Sequence, residues 1–259
     1  MEKESFTIVN ENEHDVIGTI ERMKKQGKFP CMIFSPGLLD TKKSPYIAQL
    51  AKRYLEAGFV IVLFDYSQGF GESGGRSEDA TISQRSRDLE RIVAYAKRRS
   101  YVDDKRIVVL GHSYGAMTAL AMEGFNHVLA ALVLISTPAR IEETRLTRMS
   151  EHEFSRVKLK RYFHIPLDDG KEARINFTFL EDGMKIDMDR AARNLNTPAL
   201  FIHGEKDESV LSASTQRMFE RAIGPKELAL LPFGHELKGV TVTKIFDLTH
   251  AFLKKQKVC

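Results

Sequence analysis

Short, nearly unbroken apolar runs recur along the chain at residues 31–34, 59–64, 107–110, 131–135, 198–202 and 228–231. Runs of this length, closed by Gly, Pro or polar residues, predict strands buried on both faces, as in a parallel sheet sheathed by helices. Between them, residues 46–56, 82–97, 116–124, 212–222 and 242–254 carry apolar side chains at three- and four-residue spacing. That is the periodicity of helices lying on such a sheet. Ahead of this alternation, residues 6–9 and 16–20 alternate apolar and polar positions well enough to predict an opening β-hairpin. The chain therefore reads as an α/β fold with a mostly parallel eight-stranded sheet flanked by helices.

The alternation breaks between residues 139 and 196. This stretch holds 12 Lys and Arg against 11 Asp and Glu, so it is charge-dense but nearly balanced, and it reads as a cap or lid inserted into a core made of residues 1–138 and 197–259. Residues 150–163 predict a helix. Residues 173–180 alternate with period two and face residues 184–188 across Glu181-Asp182-Gly183, which predicts a β-hairpin with Ile175, Phe177, Phe179, Met184, Ile186 and Met188 on one apolar side. Two roles stand open for that face. Phe177 and Phe179 could roof an acyl or aromatic substrate, or the face could serve to pack the insertion, since a small unit needs its own core.

At 259 residues and 42% apolar content, the chain fits one large α/β domain carrying an insertion. A formal charge of +4 is mild for this length. The basic stretches Arg85-Ser86-Arg87 and Lys97-Arg98-Arg99 share a helix with Asp88 and Glu90 and read as solvated faces, not as a nucleic-acid patch. The first residues lack the basic start and apolar centre of a signal peptide, and no apolar run approaches the ~20 residues of a membrane span. A cytoplasmic protein is expected. Cys31 and Cys259 are expected to be free thiols, and no cluster has metal-ligand spacing, so neither metal nor cofactor is implied.

The chemistry concentrates in Gly111-His112-Ser113-Tyr114-Gly115, which lies between the strand at 107–110 and the helix at 116–124. A strand turning this sharply into a helix leaves no room for side chains at its flanks, hence two glycines. It also holds the middle serine exposed in a strained conformation. A serine hydroxyl needs a histidine to take its proton and a carboxylate to orient that histidine. Asp207 follows the strand at 198–202 in His203-Gly204-Glu205-Lys206-Asp207, and His235 follows the strand at 228–231. Nucleophile, acid and base thus occur in the order Ser113, Asp207, His235, each just past a strand. Glu205 and Glu208 are alternative acids, while the loop after the strand at 131–135 has no carboxylate. His14, His127, His152, His164 and His250 lack a suitable loop; His112 is simply part of the motif, and His203 reads as a packed, hydrogen-bonded residue.

On these motifs the chain resembles the α/β-hydrolase family over nearly its whole length. Ser35-Pro36-Gly37-Leu38 resembles the loop after the third strand, and the resemblance implies that the backbone N–H groups of Leu38 and Tyr114 form an oxyanion hole. The family often has histidine before that glycine, where this chain has Ser35-Pro36. Residues 64–73 resemble the D-x-R-G-x-G-x-S loop without its arginine. The cap is similar to those of bacterial feruloyl and cinnamoyl esterases, with related lids in monoacylglycerol lipases and serine aminopeptidases. The expectation is a serine hydrolase, foremost a carboxylesterase for small or medium acyl or aryl esters. Thioesterase, amidase or peptidase, and lysolipid or monoglyceride lipase activities stand as alternatives. A non-catalytic ligand-binding protein on the same scaffold is the alternative of another class. The expected partner is a small-molecule ester; a homodimer is left open.

Overall fold

The computed structural model describes residues 1–122, 128–167 and 170–259. In chain order the elements are β1 (Glu2–Val9), β2 (Asp15–Arg22), β3 (Phe29–Ser35), α1 (Pro45–Glu56), β4 (Val60–Phe64), α2 (Ile82–Lys97), β5 (Val102–His112), α3 (Tyr114–Leu120) and β6 (Ala131–Ile135). They continue with α4 (Glu151–Lys160), β7 (Tyr162–Pro166), β8 (Glu172–Asn176), α5 (Thr178–Gly183), α6 (Met188–Arg193), β9 (Ala199–Gly204), α7 (Ser212–Arg221), β10 (Lys226–Leu231) and α8 (Val240–Lys255). The sequence extended the third of these helices to Gly124; that residue and His127 lie outside the described residues.

Eight strands form one sheet in the order β1-β2-β4-β3-β5-β6-β9-β10. β1 and β2 make the expected antiparallel hairpin, β2 runs antiparallel to β4, and every pairing from β4 through β10 is parallel. Side chains along each strand alternate between two apolar layers. Ile33, Val60, Val62 and Val109 face one with α2 and α3; Met32, Ile61, Val108 and Leu110 face the other with α1 and α8. Because both faces are covered, the central strands carry apolar residues at consecutive positions instead of alternating with polar ones. The parallel run brings the C-terminal ends of β3, β5, β6, β9 and β10 to a single edge of the sheet.

The stretch between β6 and β9 departs from the sequence expectation. The hairpin is there, but it pairs β7 with β8, from Tyr162↔Asn176 to Pro166↔Glu172, so the predicted pairing of 173–180 with 184–188 is corrected. Within residues 173–180, period-two burial ends with β8, where Ala173 and Ile175 are buried and Glu172 and Arg174 exposed. Beyond it Phe179, Leu180 and Gly183 form the buried face of a helix, and residues 184–188 contain no strand. The helix predicted over 150–163 ends at Lys160, because Arg161 adopts a left-handed conformation (φ 65°). That reversal launches β7. Non-glycine residues visit this region at a cost; here the Arg161 side chain reaches Glu181 at 2.8 and 3.0 Å and lies over the Phe177 ring. Of the six residues assigned to one apolar side, Ile175, Phe177, Phe179 and Met188 are buried, Ile186 is half-buried and Met184 is exposed. Among the described residues no helix is long and apolar enough to cross a membrane.

Candidate active site

Ser113 follows the last residue of β5 and precedes the first of α3, with φ 54° and ψ −124°. For a residue with a side chain this is a strained pair of angles. It persists because both neighbours are locked: the Ser113 amide donates to Ile135 O at 2.8 Å, and its carbonyl accepts from Ala116 and Met117. A Cβ at Gly111 would come within 2.7 Å of Ala116 Cα, and one at Gly115 would strike the backbone of Ser35 and Pro36. The second clash shows how tightly the Ser35–Leu38 loop is laid against the start of α3. Tyr114 is the first residue of that helix, where backbone amides precede the first intrahelical acceptors.

Asp207 lies three residues past β9, and its carboxylate is held on both oxygens. Oδ1 accepts from the amides of Ser209 and Val210, each at 2.9 Å; Oδ2 accepts from His235 Nδ1 at 2.8 Å. Burial opposes its charge, but the hydrogen bond and charge of His235 and the Val210 amide outweigh it and hold the carboxyl down to about 2. Glu205 and Glu208 are exposed, and the carboxylate that hydrogen-bonds His235 is that of Asp207. The two loops are also sewn together by the backbone, through Glu205 N to Leu231 O at 2.7 Å and Lys206 N to Phe233 O at 3.0 Å.

With Nδ1–H given to Asp207, His235 carries its free lone pair on Nε2, the tautomer a general base requires. Its loop is fixed against the serine's own neighbour: His112 Nε2–H donates to His235 O at 3.1 Å, and the two rings stand 4.8 Å apart. On the other side His112 Nδ1 faces Asp40 Oδ2 at 3.9 Å, and Asp40 is itself held by Ser44 and Tyr46 at 2.8 and 3.1 Å. Burial pushes the His112 pKa down in spite of Asp40. His112 is therefore more than a spacer in the motif. Its role was invisible in sequence because its partner is a backbone carbonyl 123 residues away. His203 is packed as expected, with Nδ1 2.6 Å from Thr215 Oγ1 and Nε2–H donating to Val210 O at 2.8 Å.

Other side chains near the elbow come from the stretch between β6 and β9. The Tyr114 ring meets Phe179 edge-on at 5.4 Å, and its hydroxyl lies 2.6 Å from Thr144 Oγ1. Phe177 packs instead against Phe154. A cavity of about 310 Å³ opens beyond the end of β6, lined among others by Ala139, Arg140, Met184, Ile186, Met188 and Arg217. One basic stretch departs from the expected solvated face. Arg87 is exposed, but Arg85 and Asp88 are buried. The available signal was helical: Arg85 lies three residues after Ile82 and four before Leu89, on the inward stripe.

A family model described as alpha/beta hydrolase fold matches residues 30–192. The chain belongs to the α/β-hydrolase family. The human mitochondrial palmitoyl-protein thioesterase ABHD10 is 24% identical over 203 residues, covering 77% of this chain but 64% of its own length. The lysophosphatidylserine lipase ABHD12 of Danio rerio is 24% identical over 240 residues, covering 89% of this chain and 56% of its own. The chain thus spans somewhat less than two thirds of these relatives. Among solved structures, Est1E of Butyrivibrio proteoclasticus bound to ferulic acid superposes with a TM-score of 0.83 at 18% identity, over 98% of this chain and 100% of that one. GrgF of Penicillium sp. superposes at 0.80 and 21% identity over 99% of both. At such identities the superpositions establish the shared fold.

Proposed function

We propose that the protein is a serine hydrolase that cleaves carboxylic esters through an acyl-enzyme. The observation that carries this reading is the Asp207–His235 hydrogen bond at 2.8 Å, formed in a loop that is tied to His112, the residue next to a strained Ser113. In the proposed reaction Ser113 Oγ attacks the ester carbonyl carbon while His235 Nε2 takes its proton. The amides of Leu38 and Tyr114 stabilise the resulting oxyanion. As the intermediate collapses, the C–O bond to the alcohol breaks and His235 returns the proton to that oxygen. Water, giving a proton to the same nitrogen, then attacks the acyl carbon; the bond from that carbon to Ser113 Oγ breaks, Oγ takes the proton back from His235, and the carboxylic acid leaves. Asp207 remains ionised throughout, holding the imidazole tautomer and balancing its transient charge.

Residues 139–196 are proposed to cap this site. Phe179, against Tyr114, is the aromatic residue of this stretch best placed to matter there. An acyl thioester is the second reading, favoured by the similarity to a palmitoyl-protein thioesterase. A fluorophosphonate probe should label Ser113, and Ser113→Ala should abolish labelling and lower turnover by several orders of magnitude, with a residue of catalysis from the remaining site. Labelling elsewhere, or an active Ser113→Ala protein, overturns the proposal. A panel of chain-length esters, aryl esters, thioesters and amides separates the two substrate classes and also tests the non-catalytic alternative.

A further inference from the structure

A guanidinium stays charged in a protein, so enclosing one without a counter-ion is costly unless its donors are well used. Arg85 is 1% exposed, and among the described residues no carboxylate pairs with it. Asp88, one turn further along α2, is occupied by Asn10, Gln84 and the amide and hydroxyl of Ser67. Arg85 Nη2 donates instead to the carbonyls of Pro36 and Gly37, the latter at 3.0 Å, while Nε has no partner. The guanidinium carbon lies 3.9 Å above the Tyr66 ring. Tyr66 in turn donates to Ser35 Oγ at 2.6 Å, whose own proton goes to Gly115 O at 2.8 Å. One buried network therefore joins Arg85 to both the Ser35–Leu38 loop and the helix behind Ser113.

The consequence follows from peptide geometry. A trans peptide unit is planar, and its C=O and N–H point in opposite directions; no peptide bond among the described residues is cis. Holding the Gly37 carbonyl on Arg85 therefore turns the Leu38 N–H away from Arg85 and fixes its direction. It also sets a full positive charge behind the same peptide, which strengthens its N–H as a donor. A side chain at position 37 would disturb this, because its Cβ would lie 2.6 Å from Asp40 Oδ2. The loop lacks the histidine often found before that glycine in this family, and Arg85 supplies support from another element.

We propose that Arg85 is a positioning residue for the oxyanion hole, clamping the Gly37–Leu38 peptide so that the Leu38 amide is already aimed when negative charge develops on the substrate oxygen. It touches no substrate and acts only through Leu38. The proposal rests on the reading of Ser113 and Leu38 given above.

The test compares wild type with Arg85→Met, which keeps apolar bulk, and Arg85→Lys, which keeps a charge. The probes are p-nitrophenyl butyrate for turnover and butaneboronic acid as a tetrahedral adduct of the serine. Removing one oxyanion donor costs about 10²–10³ in kcat, and misaiming one should cost Arg85→Met roughly 10–10². KM should change less than about threefold, because the ester in its ground state makes little use of that donor. Boronate inhibition should weaken in step with kcat/KM, and Arg85→Lys should recover part of both. Should Arg85→Met fail to fold, the same measurements on Arg85→Lys decide, with an intermediate loss in kcat and boronate affinity expected. Undiminished kcat in a folded variant overturns the proposal, as does a loss confined to KM or a fall in kcat with unchanged boronate affinity. Fluorophosphonate labelling of wild-type Ser113 tests the underlying reading separately. Absent labelling removes both, whereas normal labelling with full activity in Arg85→Met removes the role of Arg85 alone.

Discussion

Asp207 shows how much one carboxylate can be asked to do. Two amides hold one oxygen and His235 the other, so replacing it with an isosteric amide leaves the shape and changes the proton map. Asp207→Asn should lower ester turnover by about four orders of magnitude, because the amide favours the wrong imidazole tautomer. Glu208→Gln should change it by less than about twofold, since an exposed residue off the proton path contributes little. A steady-state comparison in which Glu208→Gln is the more damaging would displace Asp207 from the proposed triad. The same carboxyl makes stability depend on pH. Its folded pKa is depressed to about 2, below its unfolded value of about 4. Its contribution is therefore complete above the unfolded value and is lost as pH falls through the folded one. Melting temperature measured from about pH 5 down to about pH 2 should fall more steeply in wild type than in Asp207→Asn, which has no charge to lose there. At this scale the sequence was legible in placement: Ser113 stands at the strand-to-helix junction its motif dictates, and Asp207 and His235, each in a loop past a strand, meet through a hydrogen bond. It was silent where the partner is backbone: His112 answers to a carbonyl, as does Arg85, and carbonyls leave no residue-type signature.

At the scale of elements, the eight-stranded sheet could be read in advance because its central strands are buried on both faces and closed by Gly, Pro or polar residues. The region from β7 to α6 could not. Residues 173–180 alternate as a strand would, yet the register of a hairpin depends on where its turn falls. Here β7 pairs with β8 from Tyr162↔Asn176 to Pro166↔Glu172, and β7 begins where Arg161 ends α4, in a conformation that a glycine would have advertised and an arginine conceals. The packing of Phe177 and Phe179 gives separable expectations. Truncating a buried phenylalanine costs about 3–5 kcal/mol, so both Phe177→Ala and Phe179→Ala should lower the melting temperature. Phe177 packs on Phe154, within the same stretch, and its loss should leave substrate ranking unchanged. Phe179 packs on Tyr114, and its loss should alter the ratio of kcat/KM between short and long or alkyl and aryl esters by roughly 1–3 kcal/mol. Calorimetry and a two-substrate assay on the same variants check this; an unchanged ratio in Phe179→Ala would remove that ring from the substrate site.

At the scale of the molecule, the candidate site draws on the loop after β3, the junction of β5 and α3, and the loops after β9 and β10. Contacts this distant in sequence form late, because the intervening chain must lose its freedom before they reward it. Refolding followed by far-ultraviolet circular dichroism and by ester turnover should show helix signal returning first and turnover only in the last kinetic phase. Simultaneous return in an early phase would refute this. The hydrogen bond from His112 to the carbonyl of His235 then acquires a meaning in time as well as in space. During synthesis at about 5–20 residues per second, Ser113 is made on the order of ten seconds before His235. Throughout that interval the emerging polypeptide carries the proposed nucleophile without its proposed base. On the proposed mechanism, a nascent or truncated chain that stops short of His235 is chemically mute, and hydrolysis waits until that residue has been made and its loop has closed on His112.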